Sequence, residues 1–138
     1  MNPTAAVQEP GQPNPGELFV AEIREQPEAL LRLVAQEAEL AEISRLLRKR
    51  APAMVRLIAH GSSDNAAAYG LYAFGLLSGW TALRDSITLT VYYDAQVDLT
   101  SSAVVALSQS GETPDVVEYV VRARNRGAAT EQIGRAHV

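Results

Sequence analysis

The sequence predicts an α/β fold: a parallel sheet with flanking helices, preceded by N-terminal helices. Three observations carry this. Residues 55–59 and 103–107 are short apolar runs rich in branched side chains. They do not alternate with polar residues, as strands covered on both faces read. Each run passes at once into a loop of Gly, Ser, Asp or Thr and then into a helical stretch. Repeated strand, loop and helix units build a parallel sheet with right-handed crossovers.

The elements follow in order. Residues 1–16 hold four of the seven prolines and two glycines, and read as a flexible tail. They lack the basic end and apolar core of a secretory signal. Residues 17–50 are rich in Glu, Arg, Leu and Ala and read as helix. Pro27 is expected to break or kink it near Gln26. Leu30, Leu31 and Val34 form one apolar stripe, and Leu40, Ile43, Leu46 and Leu47 a second. Arg48, Lys49 and Arg50 suit the negative end of the helix dipole. A strand over 55–59 then turns through 60–64 into a helix over 65–79. Its Ala68, Leu71 and Phe74 share one side, and Gly70, Gly75 and Gly79 permit close packing. A second strand is expected over 80–83.

Residues 86–93 are ambiguous, although Ile87, Leu89 and Val91 alternate as a strand would. The third strand covers 103–107. Thr113 is expected to cap the next helix, with Pro114 in its first turn. Val117, Val120 and Val121 would form its buried stripe up to Arg126. Gly127 stands where a helix C-cap belongs, and a fourth strand should begin at Ala128.

The chain has 138 residues, the size of one domain. Its net charge is −4, with no basic stretch, which argues against nucleic-acid binding. No apolar run is long enough to span a membrane, so no membrane partner is expected. Without cysteine there is no disulfide, thiolate metal site or cysteine nucleophile, which fits a cytoplasmic setting. Lys49 is the one lysine, and His60 and His137 are the two histidines. A three-histidine metal site cannot be built, and no metal or cofactor is expected. The acid–base inventory is thin for a self-sufficient enzyme.

The chemistry lies in loops 60–64 and 108–113. Each follows a strand and opens a helix, so both should lie at the carboxyl edge of the sheet. Helix starts offer unpaired N–H groups and partial positive charge, which suit a phosphate without any lysine. The hydroxyls of Ser63, Ser108, Ser110 and Thr113 add donors, and Gly61 and Gly111 let the backbone approach. Ser, Gly and Thr also occur in turns for local reasons, and loop 60–64 alone does not decide between the two readings. Loop 108–113 crowds three hydroxyl residues and Gln109 into six positions. It is neither a Walker loop nor a dinucleotide fingerprint.

Ala106-Leu107-Ser108-Gln109-Ser110-Gly111-Glu112-Thr113-Pro114-Asp115 resembles the signature loop of sugar isomerase (SIS) domains. His60-Gly61-Ser62-Ser63 resembles the family's first phosphosugar loop. Glu22-Ile23-Arg24-Glu25-Gln26-Pro27 resembles the segment that opens the isomerase half of glutamine–fructose-6-phosphate aminotransferase. The resemblance covers about residues 19–131. It implies an SIS-type sheet and a phosphorylated sugar or aminosugar as ligand. By position, Ser63, Ser108, Gln109, Ser110 and Thr113 would surround the phosphate, supported by Gly61, Ser62 and Gly111. It also implies a short helix, rather than a strand, near 85–92, and a homodimer for the full-length protein.

The resemblance further implies an isomerase, deaminase or aminotransferase-like parent acting on sugar 6-phosphates. The proton-moving glutamate, histidine and lysine of two-domain relatives lie mostly in a second SIS domain. No glutaminase segment or N-terminal cysteine stands in this sequence, so ammonia from glutamine is not supported. Residues 51–132 would then be a first, incomplete SIS domain with its last strand cut short, inactive alone. Within it, His60 and Glu112 are the only nearby catalytic candidates, and both also suit structural roles. A phosphosugar-sensing SIS regulator is the alternative, disfavoured by the lack of a DNA-binding segment in residues 1–50.

The last six residues, Ile133-Gly134-Arg135-Ala136-His137-Val138, do not continue the fourth strand. They resemble a translated sequencing adapter, encoded by ATC GGA AGA GCA CAC GTC. We expect residues 133–138 to be foreign to the gene, which resequencing of the locus would establish.

Overall fold

Two strands with branched, apolar side chains make the centre of the sheet. β1 (Met54–Ala59) and β3 (Ser102–Leu107) pair in parallel along their whole length, from Met54 opposite Ser102 to Ala59 opposite Leu107. β2 (Ala82–Arg84) joins the outer side of β1, and β4 (Ala129–Thr130) joins β3, both in parallel. The order is β2–β1–β3–β4. This is a computed structural model, and it describes residues 15–130. Most of the proline-rich tail and the whole adapter-like hexapeptide lie outside those residues.

Both faces of the sheet are covered, which is why its strands read as continuous apolar runs. On one face, Val55, Leu57 and Ala103 pack with Ala67 of α3 (Ser63–Ala73). Leu47 of α2 (Glu37–Arg50) packs against the same cluster. On the other face, Ile58 and Val104 pack with Val116, Tyr119 and Ala123 of α4 (Pro114–Asn125). A Cβ on Gly70 would meet Leu57 Cδ1 at 2.8 Å, so that glycine sets how closely α3 lies on β1. The chain divides at Ala38 into two compact units. The first holds α1 (Pro15–Ala35), and the second holds nearly all of α2 and the sheet.

Several expectations are corrected. α1 runs through Pro27 without a break, and the chain turns at Gln36 instead, where Gln36 N–H donates to the Leu33 carbonyl. A proline forfeits one intrahelical donor, and the flanking turns carry the helix past it. In residues 86–93 the helix implied by the resemblance, and not the strand suggested by alternation, is what the structure holds: a π-helical turn, Thr88–Tyr92. Short apolar runs do not distinguish the two by periodicity, and here Ile87 and Val91 face the α4 side of the core. The helix after β1 starts at Ser63 and ends in a second π-turn, Phe74–Ser78. β2 begins two residues later than expected and β4 one residue later.

The stripe on α4 is also rotated. Val117 and Val121 are exposed, whereas Val116, Tyr119 and Ala123 are buried and Val120 is partly buried. Tyr119 anchors this face because its hydroxyl finds Asp85, so an aromatic that reads as polar lies at the centre of the core. Gly127 ends α4 as expected, with φ +84°. Gly127 N–H donates to the Arg124 carbonyl and Ala128 N–H to the Ala123 carbonyl, closing the last turn.

The strand order fixes where a ligand can sit. The chain leaves β1 toward β2 on one side, while β3 lies on the other. The connections diverge at the carboxyl ends of β1 and β3, the position where open parallel sheets bind ligands. No helix among the described residues is long and apolar enough to cross a membrane.

Candidate functional site

Loops 60–64 and 108–113 leave neighbouring strand ends, since Ala59 and Leu107 are register partners. Gly61 (φ +54°) and Gly111 (φ +71°) take left-handed conformations that turn each loop into its helix. Loop 60–64 coils tightly: Ser63 N–H donates to the His60 carbonyl and Asp64 N–H to the Gly61 carbonyl, both at 3.1 Å.

In the second loop the hydroxyls shape the backbone. Ser108 Oγ and Thr113 Oγ1 are 2.7 Å apart and share a hydrogen bond. Gly111 N–H donates to Ser108 Oγ at 3.2 Å, and Glu112 N–H to Ser110 Oγ at 3.1 Å. The expected side-chain cap by Thr113 is therefore corrected: its hydroxyl closes the loop across Ser108 instead. Ser62, Ser63 and Gln109 make no side-chain hydrogen bond among the described residues. Glu112 is exposed, and its carboxylate also has no partner among them.

His60 ties the two loops together. Its Nε2 is hydrogen-bonded to Asp115 Oδ2, in the first turn of α4. Tyr92 OH donates to the same oxygen at 3.3 Å, and Val116 N–H donates to Asp115 Oδ1 at 3.0 Å. Burial opposes ionisation of Asp115, but the hydrogen bond and charge of His60 outweigh it. They hold the carboxyl below its usual value, with help from Tyr92. In return the Asp115 charge, and then its hydrogen bond, push the Tyr92 phenol up.

Sequence reasoning missed Asp115 and Tyr92. Asp115 was visible only as the last residue of the signature-loop segment, 55 positions from its partner. Tyr92 lay in the segment whose alternation read as strand. Arg84 was missed as well: it ends β2 and forms an ion pair with Asp64, with Nε 3.1 Å from Oδ1. It sets a cation beside loop 60–64 on a chain with a single lysine.

The clefts lie elsewhere. One of about 300 Å³ opens at the amino ends of the strands, beside Arg50, Pro52, Thr100 and Gly127. Another of about 200 Å³ is apolar and lies between α2 and the end of α3, beside Leu40, Ile43, Phe74 and Trp80. The first gathers Arg50 with Thr100, Ser101 and Ser102, but at the sheet edge away from the starts of α3 and α4. The loop pair, with two helix starts and free hydroxyl and amide groups, is the better-equipped surface. Among the described residues, no three His, Asp or Glu side chains gather as metal ligands.

No family model and no curated protein matches the chain. Among solved structures, it is similar to the crystal structure of a protein from Silicibacter pomeroyi DSS-3 provisionally named a phosphosugar isomerase. The two are 37% identical over 80% of this chain, with a TM-score of 0.72. The fold is of the SIS type. The chain spans about a third (34%) of that protein's length. That protein's name does not single out the aminotransferase.

Proposed function

We propose that this SIS-type domain binds the phosphate of a phosphorylated sugar or aminosugar between loops 60–64 and 108–113. The observation that carries the reading is the link between His60 and Asp115. It joins the first loop to the start of the helix that follows the second, at the carboxyl ends of adjacent strands, where open parallel sheets bind ligands. Ser63 and Gln109 offer unused polar groups to the phosphate. Ser108, Ser110 and Thr113 hold the loop so that backbone N–H groups can join them.

On this reading, gripping the phosphate orients the carbon chain, so that a proton can move between adjacent carbons. His60, steadied by Asp115, is positioned to assist sugar ring opening, and Glu112 faces solvent. The base for the carbon-bound proton is supplied by protein outside the described residues. The parent activity is isomerisation, or a related deamination or amination, of a sugar 6-phosphate in the cytoplasm. The name of the similar structure favours isomerase over sensor. Residues 51–132 act as one SIS domain behind N-terminal helices, and the protein works as a homodimer.

Thermal-shift measurements test this. Fructose 6-phosphate and glucosamine 6-phosphate should raise the melting temperature, and the unphosphorylated sugars should not. Gln109→Ala should reduce the shift without loosening the loop. Ser108→Ala with Ser110→Ala should reduce it further. No shift with any phosphosugar, in folded protein, would reject the proposal.

A further inference from the structure

Three side chains meet at one carboxylate oxygen beside the second loop. Asp115 Oδ2 is hydrogen-bonded to His60 Nε2, and it accepts from Tyr92 OH at 3.3 Å. Tyr92 is nonetheless 66% exposed, so its phenol is tethered while the ring stays open to solvent. The backbone beneath the ring is fixed as well. Tyr92 closes the π-turn Thr88–Tyr92, in which Thr90 is fully buried and Val91 packs on the core. Arg122 Nη1 of α4 donates to the Thr90 carbonyl at 2.8 Å. Single π-turns recur at functional sites. A ring held at both ends has already lost the freedom that binding would otherwise cost.

We infer that Tyr92 is a ligand-contacting residue, whose ring forms one wall of the phosphosugar site and packs against the carbon-bound hydrogens of the sugar. This role rests on a phosphate held by loops 60–64 and 108–113. Those loops supply donors for the anion. None of Gly61, Ser62, Ser63, Ser108, Gln109 or Thr113 carries an aromatic or large apolar side chain for the carbon skeleton. A small-molecule site needs both, since polar groups orient the ligand and apolar or aromatic walls take up its surface. Tyrosine supplies a rigid, amphipathic surface at low entropic cost. The His60 imidazole, bonded to the same carboxylate oxygen, lies beside it. The wall acts on the sugar and not on the phosphate, so it selects a phosphorylated sugar ring over bare phosphate.

Titration of the full chain with glucosamine 6-phosphate and with inorganic phosphate tests it, read from the amide NMR signals of Gly61 and Gly111. Tyr92→Ala should weaken glucosamine 6-phosphate by about 5- to 10-fold and leave inorganic phosphate unchanged. Tyr92→Phe keeps the ring and loses the tether, so it should recover most of the affinity. The melting temperature should stay the same in both variants, because the ring is exposed. In wild type, the Tyr92 ring protons should shift with glucosamine 6-phosphate and not with phosphate. Equal weakening of both ligands, no weakening of the phosphosugar, or unmoved ring protons would each overturn the inference. Wild type that binds neither ligand would overturn the phosphate reading itself and this role with it, a result distinct from the other three.

Discussion

His60, just past the end of β1, and Asp115, in the first turn of α4, meet across 55 residues of sequence and share a hydrogen bond. The contact fastens the first loop of the site to the second. Asp115 Oδ1 also accepts its neighbour's N–H, from Val116, so the same carboxylate helps to satisfy the start of α4.

The pair gives Asp115 a pH signature. Its folded pKa is depressed, so its stabilising effect is present in full above the ordinary aspartate value of 3.8. The effect is lost as the pH falls through the lower, folded value. Asp115→Asn should therefore cost about 1 kcal/mol near neutrality. The gap to wild type should close below about pH 4. Urea unfolding between pH 3 and about 7 checks this. A gap that stays constant through the acid range would assign the loss to packing rather than charge.

Within the second loop, Ser108 and Thr113 are predicted to act as one unit, since their hydroxyls bond each other and Ser108 also holds Gly111 N–H. Ser108→Ala and Thr113→Ala should each cost about 1 kcal/mol, and the double variant clearly less than their sum. A double-mutant cycle by chemical denaturation reads the coupling. Additive losses would show that the two hydroxyls act separately.

The parts legible in the sequence were those with a local cause. β1 and β3 announced themselves through branched runs such as Val104 and Val105, and Gly127 through the end of a helix. The two site loops followed from strand ends. What stayed hidden had distant causes. Tyr119 is central because Asp85 and Arg56 lie opposite it, and the rotation of α4 follows from that anchor. Asp115 gained its place only when His60 was brought to it. Residues 86–93 alternate like a strand, yet the core receives Ile87 and Val91 from a π-turn.

The Arg56, Asp85 and Tyr119 cluster predicts behaviour at high pH. Tyr119 is fully buried, and its OH donates to Asp85 Oδ2 at 2.6 Å, as Arg56 Nη1 does. Burial, and then the Asp85 hydrogen bond and charge, push the phenol well above its ordinary value of 10. A raised folded pKa gives stability that is complete below 10 and declines as the pH rises toward the folded value. Wild type should lose up to about 1.4 kcal/mol per pH unit above 10 from this residue. Tyr119→Phe should cost about 1 kcal/mol at neutrality and show a flatter alkaline limb. Arg56→Met should cost about 3–5 kcal/mol, because it leaves Asp85 without its cation. Denaturation curves from pH 7 to about 11 decide; equal alkaline slopes for wild type and Tyr119→Phe would refute the assignment.

Among the described residues, two other than glycine share a left-handed backbone, and they are predicted to respond oppositely to glycine. Ala51 (φ +45°) ends α2, where its N–H donates to the Arg48 carbonyl and Pro52 blocks further helix. Its side chain offers no hydrogen bond in return for a conformation that costs an L-residue about 1–2 kcal/mol. The added freedom of glycine in the unfolded chain returns about 0.4–1 kcal/mol of that. Ala51→Gly should therefore stabilise by about 0.5 kcal/mol, a rise of about 2 °C in melting temperature. Asp94 (φ +47°) accepts from Arg122 Nη1 and Arg126 Nη2, both at 3.1 Å, while Arg126 Nη1 donates to the Ala95 carbonyl. There the carboxylate holds the 88–97 segment against α4, and aspartate tolerates the left-handed region better than alanine. Asp94→Gly relieves little strain and releases two arginines, so it should lower the melting temperature by about 2 °C. Shifts of the same sign for both substitutions would show that backbone strain alone governs the two sites.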